Sequence, residues 1–526
     1  MFGNFPIGHI VPKKIDPKDV PEPTPVNIPR YQPFAREDAS LDVSEALPTL
    51  LQHTGRPLTD LLGTKGLSAI GLNLTLDASL EQLIPDPSYI PDFHQWEQLS
   101  ADEARERNQS TRRPLRNGNL SPGCQTFLER KKELSNTNED GFRTVRRIPP
   151  PKGKQHARLG NAYEFFRCLE MFTSFWDDPT QPPDLPPSPE IGPSDSAPAA
   201  AEGSSSGKPD KELEEVRIIR TETGRSMPPE YRQSLLSAFI KLVSYDFGCS
   251  VSMARLEPRL HMCSPEGSAS PRKSYFTSNA SFIFQSPKTR EEARAGTVYG
   301  PVGAACARPT TDFTTPDVET AQALDLAREI VAALITAQHR AREGKAETRF
   351  GEGQWWTKEP RWGGGSGGPI GREIARDAVQ GDKDARPRGG DGMPVTKKPR
   401  KNMSIYDNYR MVRPPAGTWD KKTRYEAIGK AQGADYDDIF VISSLFHHVS
   451  ILRVRVPMRL LDIFAGSPEA DPTKRSWGGV QAWRSPWYDL FKTEERIEAM
   501  KTLWPVMAFQ MRNDTGQEDD VPMADA

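Results

Sequence analysis

Cysteine is scarce and scattered: Cys124, Cys168, Cys249, Cys263 and Cys306 are the five in 526 residues, and no two form a CxxC pair. An odd number at wide spacing excludes a disulfide framework and a cysteine-based zinc module. A reducing compartment follows as the expectation. Long apolar runs are missing too. No stretch reaches the roughly 18 consecutive apolar residues that a spanning helix needs, so no membrane contact is expected. The first residues, MFGNFPIGHIVPKKIDP, have no apolar core of a signal peptide, and the expected setting is intracellular. The N-x-S/T sequons at Asn73 and Asn279 then carry no meaning as glycosylation sites. Hydrophobic residues make up only 36% of the chain, while proline reaches 49 residues. Such a chain buries a core in some segments and not in others. About 250–300 ordered residues are expected, the scale of one large domain or two small ones.

Net charge is nearly balanced at −2, but the balance hides segregation. Residues 105–158 carry 14 Lys/Arg against 5 Asp/Glu, and residues 340–401 carry 15 against 9. The last nine residues, from Glu518, hold four acids and no base. Asymmetry of this kind suits a polyanionic partner or an acidic protein surface, and equally a solvated linker.

Along the chain, composition divides the sequence. Residues 1–46 read as a disordered Pro-rich arm, 47–100 as short helices docking on a body, and 101–160 as a basic linker. Residues 161–178 form an amphipathic aromatic helix in which Tyr163, Phe166, Leu169, Phe172 and Trp176 share a face. Its apolar face needs cover, from the main domain or from a partner. Residues 179–210 are a disordered Pro/Ser/Ala/Gly-rich linker. From 211 to 345 the pattern is β-α-β-β-α: EVRIIRT as a strand, a helix ending at Gly248, strands in SVSMARLEPRLHM and ASFIFQS, then a long helix over 317–343. Thr315 is the expected cap of that helix, with Pro316 first and Leu324, Ala327, Val331, Leu334 and Gln338 on one face. Residues 346–403 are a Gly-rich and basic flexible insert. Residues 404–512 supply the richest β sequence, DDIFVISSLFHHVSILRVRVP, and a final helix kinked at Pro505. Residues 513–526 are an acidic tail. The fold class is therefore α+β: one discontinuous domain of mixed content, its halves 211–345 and 404–512, flanked and interrupted by disordered Pro/Gly-rich and basic segments.

Motifs for chemistry are weak. Gly363, Gly365 and Gly368 match GxGxxG, and residues 364–368 also match GxSxG. One glycine run satisfies both, and neither follows the buried strand that each requires. His447 and His448 lie downstream of Asp435, Asp437 and Asp438. Adjacent strand residues face opposite ways, so at most one of the two histidines joins a given site, and a satisfied structural histidine is the expected reading over a metal or acid/base role. Trp355, Trp356 and Trp362 interleave with Lys358 and Arg361, a mix that stacks bases or pins a loop. Lys397, Lys398, Arg400 and Lys401 form a compact basic cluster with the character of a nuclear import signal.

No catalytic residue, cofactor or metal ligand is assigned on these grounds. The leading expectation is a non-enzymatic interaction or scaffold protein of a nuclear or ribonucleoprotein complex, with other proteins as partners. One alternative is direct RNA or DNA binding through 105–158, with Arg112, Arg113, Arg146, Arg147, Trp355 and Trp356 as contacts. Another is an enzyme with its site near Asp435 and His448.

Overall fold

The computed structural model describes residues 16–33, 46–52, 63–173, 227–252, 259–268, 273–285, 297–308, 312–343 and 424–513, with a few short breaks. The fold is α+β, with a mixed sheet as its frame. The strands are β1 (Leu72–Thr75), β2 (Cys249–Ser252), β3 (Leu260–Cys263), β4 (Lys273–Phe276), β5 (Ser281–Gln285), β6 (Thr297–Arg308), β7 (Arg424–Glu426), β8 (Tyr436–Leu445), β9 (His448–Pro457), β10 (Val480–Arg484) and β11 (Tyr488–Asp489). The main sheet runs β1-β10-β9-β8-β6-β5-β2, with β11 also on β9 and β7 also on β6; β3 and β4 pair separately.

The helices are α1 (Leu47–Gln52), α2 (Thr64–Ala69), α3 (Leu80–Leu83), α4 (Phe93–Gln98), α5 (Ala101–Arg107), α6 (Cys124–Leu134), α7 (Asn138–Arg146), α8 (Tyr163–Phe172), α9 (Pro229–Ser244), α10 (Val318–Arg340), α11 (Met458–Phe464) and α12 (Thr493–Gln510).

Side chains alternate across a strand, and here both alternating sets are apolar. On β8, Ile439 and Val441 join the core under α1, α2, α10 and α11, while Phe440 and Ile442 join the core under α6, α8, α9 and α12. On β9, Leu452, Val454 and Val456 face the first core, and Val449 and Ile451 the second. Burial on both faces explains why this stretch reads as a nearly continuous apolar run.

The chain on either side of residues 344–423 joins this one sheet. β6 lies parallel to β8, with Ala304 opposite Val441 and Arg308 opposite Leu445. Just before that span, Glu343 accepts a hydrogen bond from the backbone N–H of Ala427 just after it (2.9 Å), so the span leaves and re-enters at one place. β1, from the leucine-rich residues expected to give only short helices, forms the sheet edge beside β10.

Strand β6 is missing from the sequence reading because Gly300, Pro301 and Gly303 argue against a strand interior. The structure removes the objection. β6 pairs with β7 at residues 297–299 and with β8 only from Ala304. On its other side the register against β5 shifts between Ile283 and Gln285. Pro301 falls between the two partners, where no ladder N–H is required.

Residues 101–160, expected as a basic linker, carry α5, α6 and α7. Apolar packing holds them: Phe127 of α6 lies edge-on to Trp504 of α12 at 5.5 Å, beside Trp96 and Phe247. Gly141 of α7 meets the ring of Phe166 so closely that a Cβ there would fall 2.4 Å from it. The aromatic helix α8 packs on α7 and α9. Its buried face is Phe165, Phe166, Cys168, Leu169 and Phe172, whereas Tyr163 is 41% exposed. The apolar stripe is thus rotated from the expected one, and Trp176 lies outside the described residues. Helix α10 is capped by Asp317, whose side chain accepts from the N–H of Thr320 at 2.8 Å. The strand expected in EVRIIRT, and the segments 1–15, 179–210, 346–403 and 514–526, also lie outside the described residues.

Two carboxylates of α10 are buried with the sheet's arginines. Asp325 pairs with Arg308 of β6 at 2.8 Å. Glu329, wholly buried, pairs with both Arg308 and Arg484 of β10. Trp487 lies against both guanidiniums, 5.7 and 5.2 Å from its ring centre. Burial works to raise the pKa of Glu329, and Arg308 and Arg484 overcome it, holding the group down at about 2. Burial pushes Asp325 the other way, up to about 6.

Replacing Glu329 by Gln leaves two buried guanidiniums facing one carboxylate. Loss of a buried partner costs about 3–5 kcal/mol, to be read as a lower urea midpoint. The pH dependence has a definite sign. A carboxylate held below its unfolded value of 4.5 contributes stability that is fully present above that pH. Glu329 also helps to raise Asp325, so the gap between wild type and Glu329→Gln should be constant only above about pH 6, and it should narrow as pH falls from 4.5 toward 2. A gap that widens between pH 4.5 and 2 would contradict this assignment.

Candidate functional site

The hairpin β8–β9 is closed by two residues, Phe446 and His447, since Leu445 stands opposite His448. Phe446 has φ +53°, and a positive φ at the first turn position alone is the pattern of a type II′ turn. Glycine is usual there. The phenyl ring instead is buried against Phe172 of α8 (5.4 Å) and the ring of His447 (5.3 Å).

This turn brings both histidines to one place. His447 is in the turn and not in a strand, so the alternation that would separate the two rings does not apply. Their centroids lie 4.3 Å apart. Asp489 of β11 stands directly opposite His448 across the ladder, and its Oδ1 lies 3.5 Å from Nε2 of His447. The backbone N–H of Leu490 donates to the carbonyl of His447 at 3.1 Å, locking β11 to the turn. Asp489 Oδ1 accepts from the N–H of Phe491 (2.9 Å), and the Asp489 N–H donates to Glu495 (2.6 Å). One potential ligand atom from each of His447, His448 and Asp489 lies within 4.8 Å of the other two. Burial, reinforced by His448, holds His447 well below its ordinary pKa. Burial also pushes His448 down to about 4 and Asp489 up. Near neutral pH both imidazoles are therefore uncharged, with a lone pair each to offer.

The acids singled out upstream are elsewhere. Asp437 and Asp438 begin β8, and a rise of about 3.3 Å per residue puts them some 30 Å from the turn. Facing opposite sides of the sheet, each has its own arginine. Arg340 of α10 donates to Asp437 at 2.9 Å, and Arg453 and Arg455 pair with Asp438 at 3.0 and 3.1 Å.

The basic residues named as nucleic-acid contacts divide into internal and external sets. Arg112 donates to the carbonyls of Ser121 and Leu120. Arg146 is paired with Glu170 of α8. Arg113 is exposed and lies over the ring of Tyr89 at 5.1 Å. Arg147 is exposed, in left-handed conformation at the end of α7, where its N–H and that of Ile148 satisfy the last carbonyls. Elsewhere in the same stretch, Arg130 holds Asp246 and Glu133, Lys131 holds Glu97, and Arg143 holds Asp16 and Glu139. Much of the local basic surplus therefore neutralises acids from other parts of the chain.

The external set continues beyond α7. Lys152, Lys154 and Arg158 are exposed. The N–H of Lys154 donates to the carbonyl of Pro151 (3.0 Å) and Gly153 has φ +85°, the signature of a type II turn. From Gly141 to Tyr163 the sequence contains no acid. Trp355, Trp356, Lys397, Lys398, Arg400 and Lys401, and the glycine run at 363–368, lie outside the described residues.

A partly open cavity of about 40 Å³ lies between α1, α2 and α10, lined by Leu47, Leu50, Leu67, Ile330 and other apolar residues. No helix among the described residues is long and apolar enough to cross a membrane. No family model matches the chain, and no curated protein or solved structure is significantly similar to it.

The turn geometry has a measurable consequence. Phe446→Ala and Phe446→Gly both remove the buried ring, but only glycine is at ease at positive φ. Urea unfolding should leave the glycine variant the more stable of the two by about 1 kcal/mol. Equal stability would show that the turn relaxes once the ring is gone.

Proposed function

We propose that the protein is a non-enzymatic interaction protein whose body engages an acidic protein surface through the exposed basic turn from Arg147 to Arg158. The observation that carries this reading is the turn itself. Lys152 and Lys154 flank a glycine in a type II turn and are exposed, as are Arg147 and Arg158 in the same stretch. Pro149, Pro150 and Pro151 precede it, each with a fixed φ. A preordered set of charges loses little conformational entropy on binding. The stretch has no Phe, Tyr or Trp between Phe142 and Tyr163 and only His156 as an aromatic ring, which favours an acidic protein over stacked bases.

The buried charges support the same reading. Arg308, Arg484, Arg340 and Arg453 are engaged with carboxylates inside the fold. The apolar cavity between α1, α2 and α10, at about 40 Å³, is by itself too small for a ligand that needs roughly 300–1,000 Å³. A nuclear or ribonucleoprotein setting belongs to the proposal through the sequence cluster Lys397, Lys398, Arg400 and Lys401. The second reading, RNA or DNA bound through phosphate contacts, rests on the same exposed cations.

The test uses the full chain and three probes: a polyglutamate peptide, single-stranded RNA and duplex DNA, each titrated at low and physiological salt. The peptide should bind, weaken with salt as exposed charges are screened, and lose about tenfold in affinity in the Lys152→Ala/Lys154→Ala/Arg158→Ala variant, equivalent to about 1.4 kcal/mol. Binding of nucleic acid without peptide selects the second reading. A triple variant that binds every probe like wild type overturns both.

A further inference from the structure

We infer that the β8–β9 turn is a binding site for a divalent first-row transition ion of the zinc type, with His447, His448 and Asp489 as its ligands. Three independent backbone constraints converge on it. The two-residue turn places His447 beside His448. The β9–β11 register puts Asp489 opposite His448. The Leu490 N–H to His447 carbonyl bond closes the third side. Ligand atoms from the hairpin and from β11 are thereby held within 4.8 Å of one another.

The donor chemistry selects the ion. Two imidazole nitrogens and one carboxylate oxygen suit zinc and its neighbours, whereas calcium and magnesium prefer all-oxygen sets. Zinc sits about 2.0–2.2 Å from such atoms, so two ligands on a tetrahedral ion lie about 3.4 Å apart. The His447–Asp489 separation, 3.5 Å, already fits that edge. Nδ1 of His448 is shielded from solvent and makes no hydrogen bond among the described residues. Phe446 and Phe491 lie against the His447 ring, with Phe172 behind Phe446, and the Phe491 N–H orients the Asp489 carboxylate, the supporting contacts that metal sites use. Lys492, the nearest cation of α12's entry, is turned to Glu495 at 2.9 Å and mostly exposed, so its charge is compensated. Three protein ligands leave a fourth position open.

A stacked, neutral histidine pair held only by packing is the competing account, and metal titration separates the two. Full-length protein stripped with a chelator is titrated with Co²⁺ alone, then with Zn²⁺. One equivalent of Co²⁺ should give a visible d–d spectrum, and Zn²⁺ should displace it and raise the thermal midpoint. His448→Gln, at the half-buried rim, and Asp489→Asn should each lower affinity by at least about tenfold. His94→Gln, an exposed histidine remote in sequence, should bind like wild type. The inference is overturned if folded wild type gives no such spectrum, or if His448→Gln and Asp489→Asn, folded by circular dichroism, bind Co²⁺ as wild type does.

Discussion

A sheet covered on both faces admits a charged side chain only together with its counter-charge, and that constraint organises the rest of the molecule. Glu329 is the centre of it. Its carboxylate takes guanidiniums from β6 and β10 at once, two strands separated in the sheet by β9 and β8. Helix α10 is thereby fixed over four strands at a single point. Buried ion pairs are poor sources of net stability compared with well-packed apolar side chains of equal volume. Their value here is positional. An apolar helix could slide along an apolar sheet, but one carrying Asp325 and Glu329 has only one seating in which both are paired.

Arg340, at the other end of α10, repeats the arrangement on a chain scale. It is wholly buried and donates to the carbonyls of Pro301 and Val302, to Asp437 of β8 and to Gln510 of α12. One side chain ties β6, β8 and the last helix together immediately before residues 344–423. Glu343 then joins Ala427 across that span. The folded body is closed at the base of the span by contacts among the residues on either side of it. The sheet's order of strands is accordingly set by groups outside the span, whatever those residues do.

The sequence was informative where a single physical rule decides the outcome. The α+β class, the helices α9, α10 and α12, and the strength of β8 and β9 all follow from periodicity and apolar content. It misled where tertiary partners decide. Lys131, Arg143 and Arg146 look like a solvated basic tract because their acids, Glu97, Asp16 and Glu170, are distant in sequence. Strand β6 was hidden by Pro301, whose position between two strand partners no local rule could reveal. The histidines were misjudged for a one-residue reason. The alternation rule separates neighbours within a strand, and the strand ends at Leu445. A turn cue was lacking because Phe446 occupies a position where glycine or asparagine normally marks the bend.

The same phenylalanine links the candidate site to the rest of the fold. Phe446 sits at positive φ because its ring is held between Phe172 and His447, so the last turn of α8 supports the hairpin tip. Helix α8 is in turn positioned by Phe165 against Phe239 of α9 and by Gly141 of α7 beneath Phe166. Contacts thus run from the segment that bears the exposed basic turn, through α7 and α8, to the pair of histidines. The basic turn follows α7, and the hairpin tip that bears the histidines rests on the adjacent α8 through Phe172 and Phe446. Packing that seats α7 and α8 correctly orders both the surface charges after Arg146 and the ligand atoms of His447, His448 and Asp489, which makes their geometry a product of the core and not of the loops that display them.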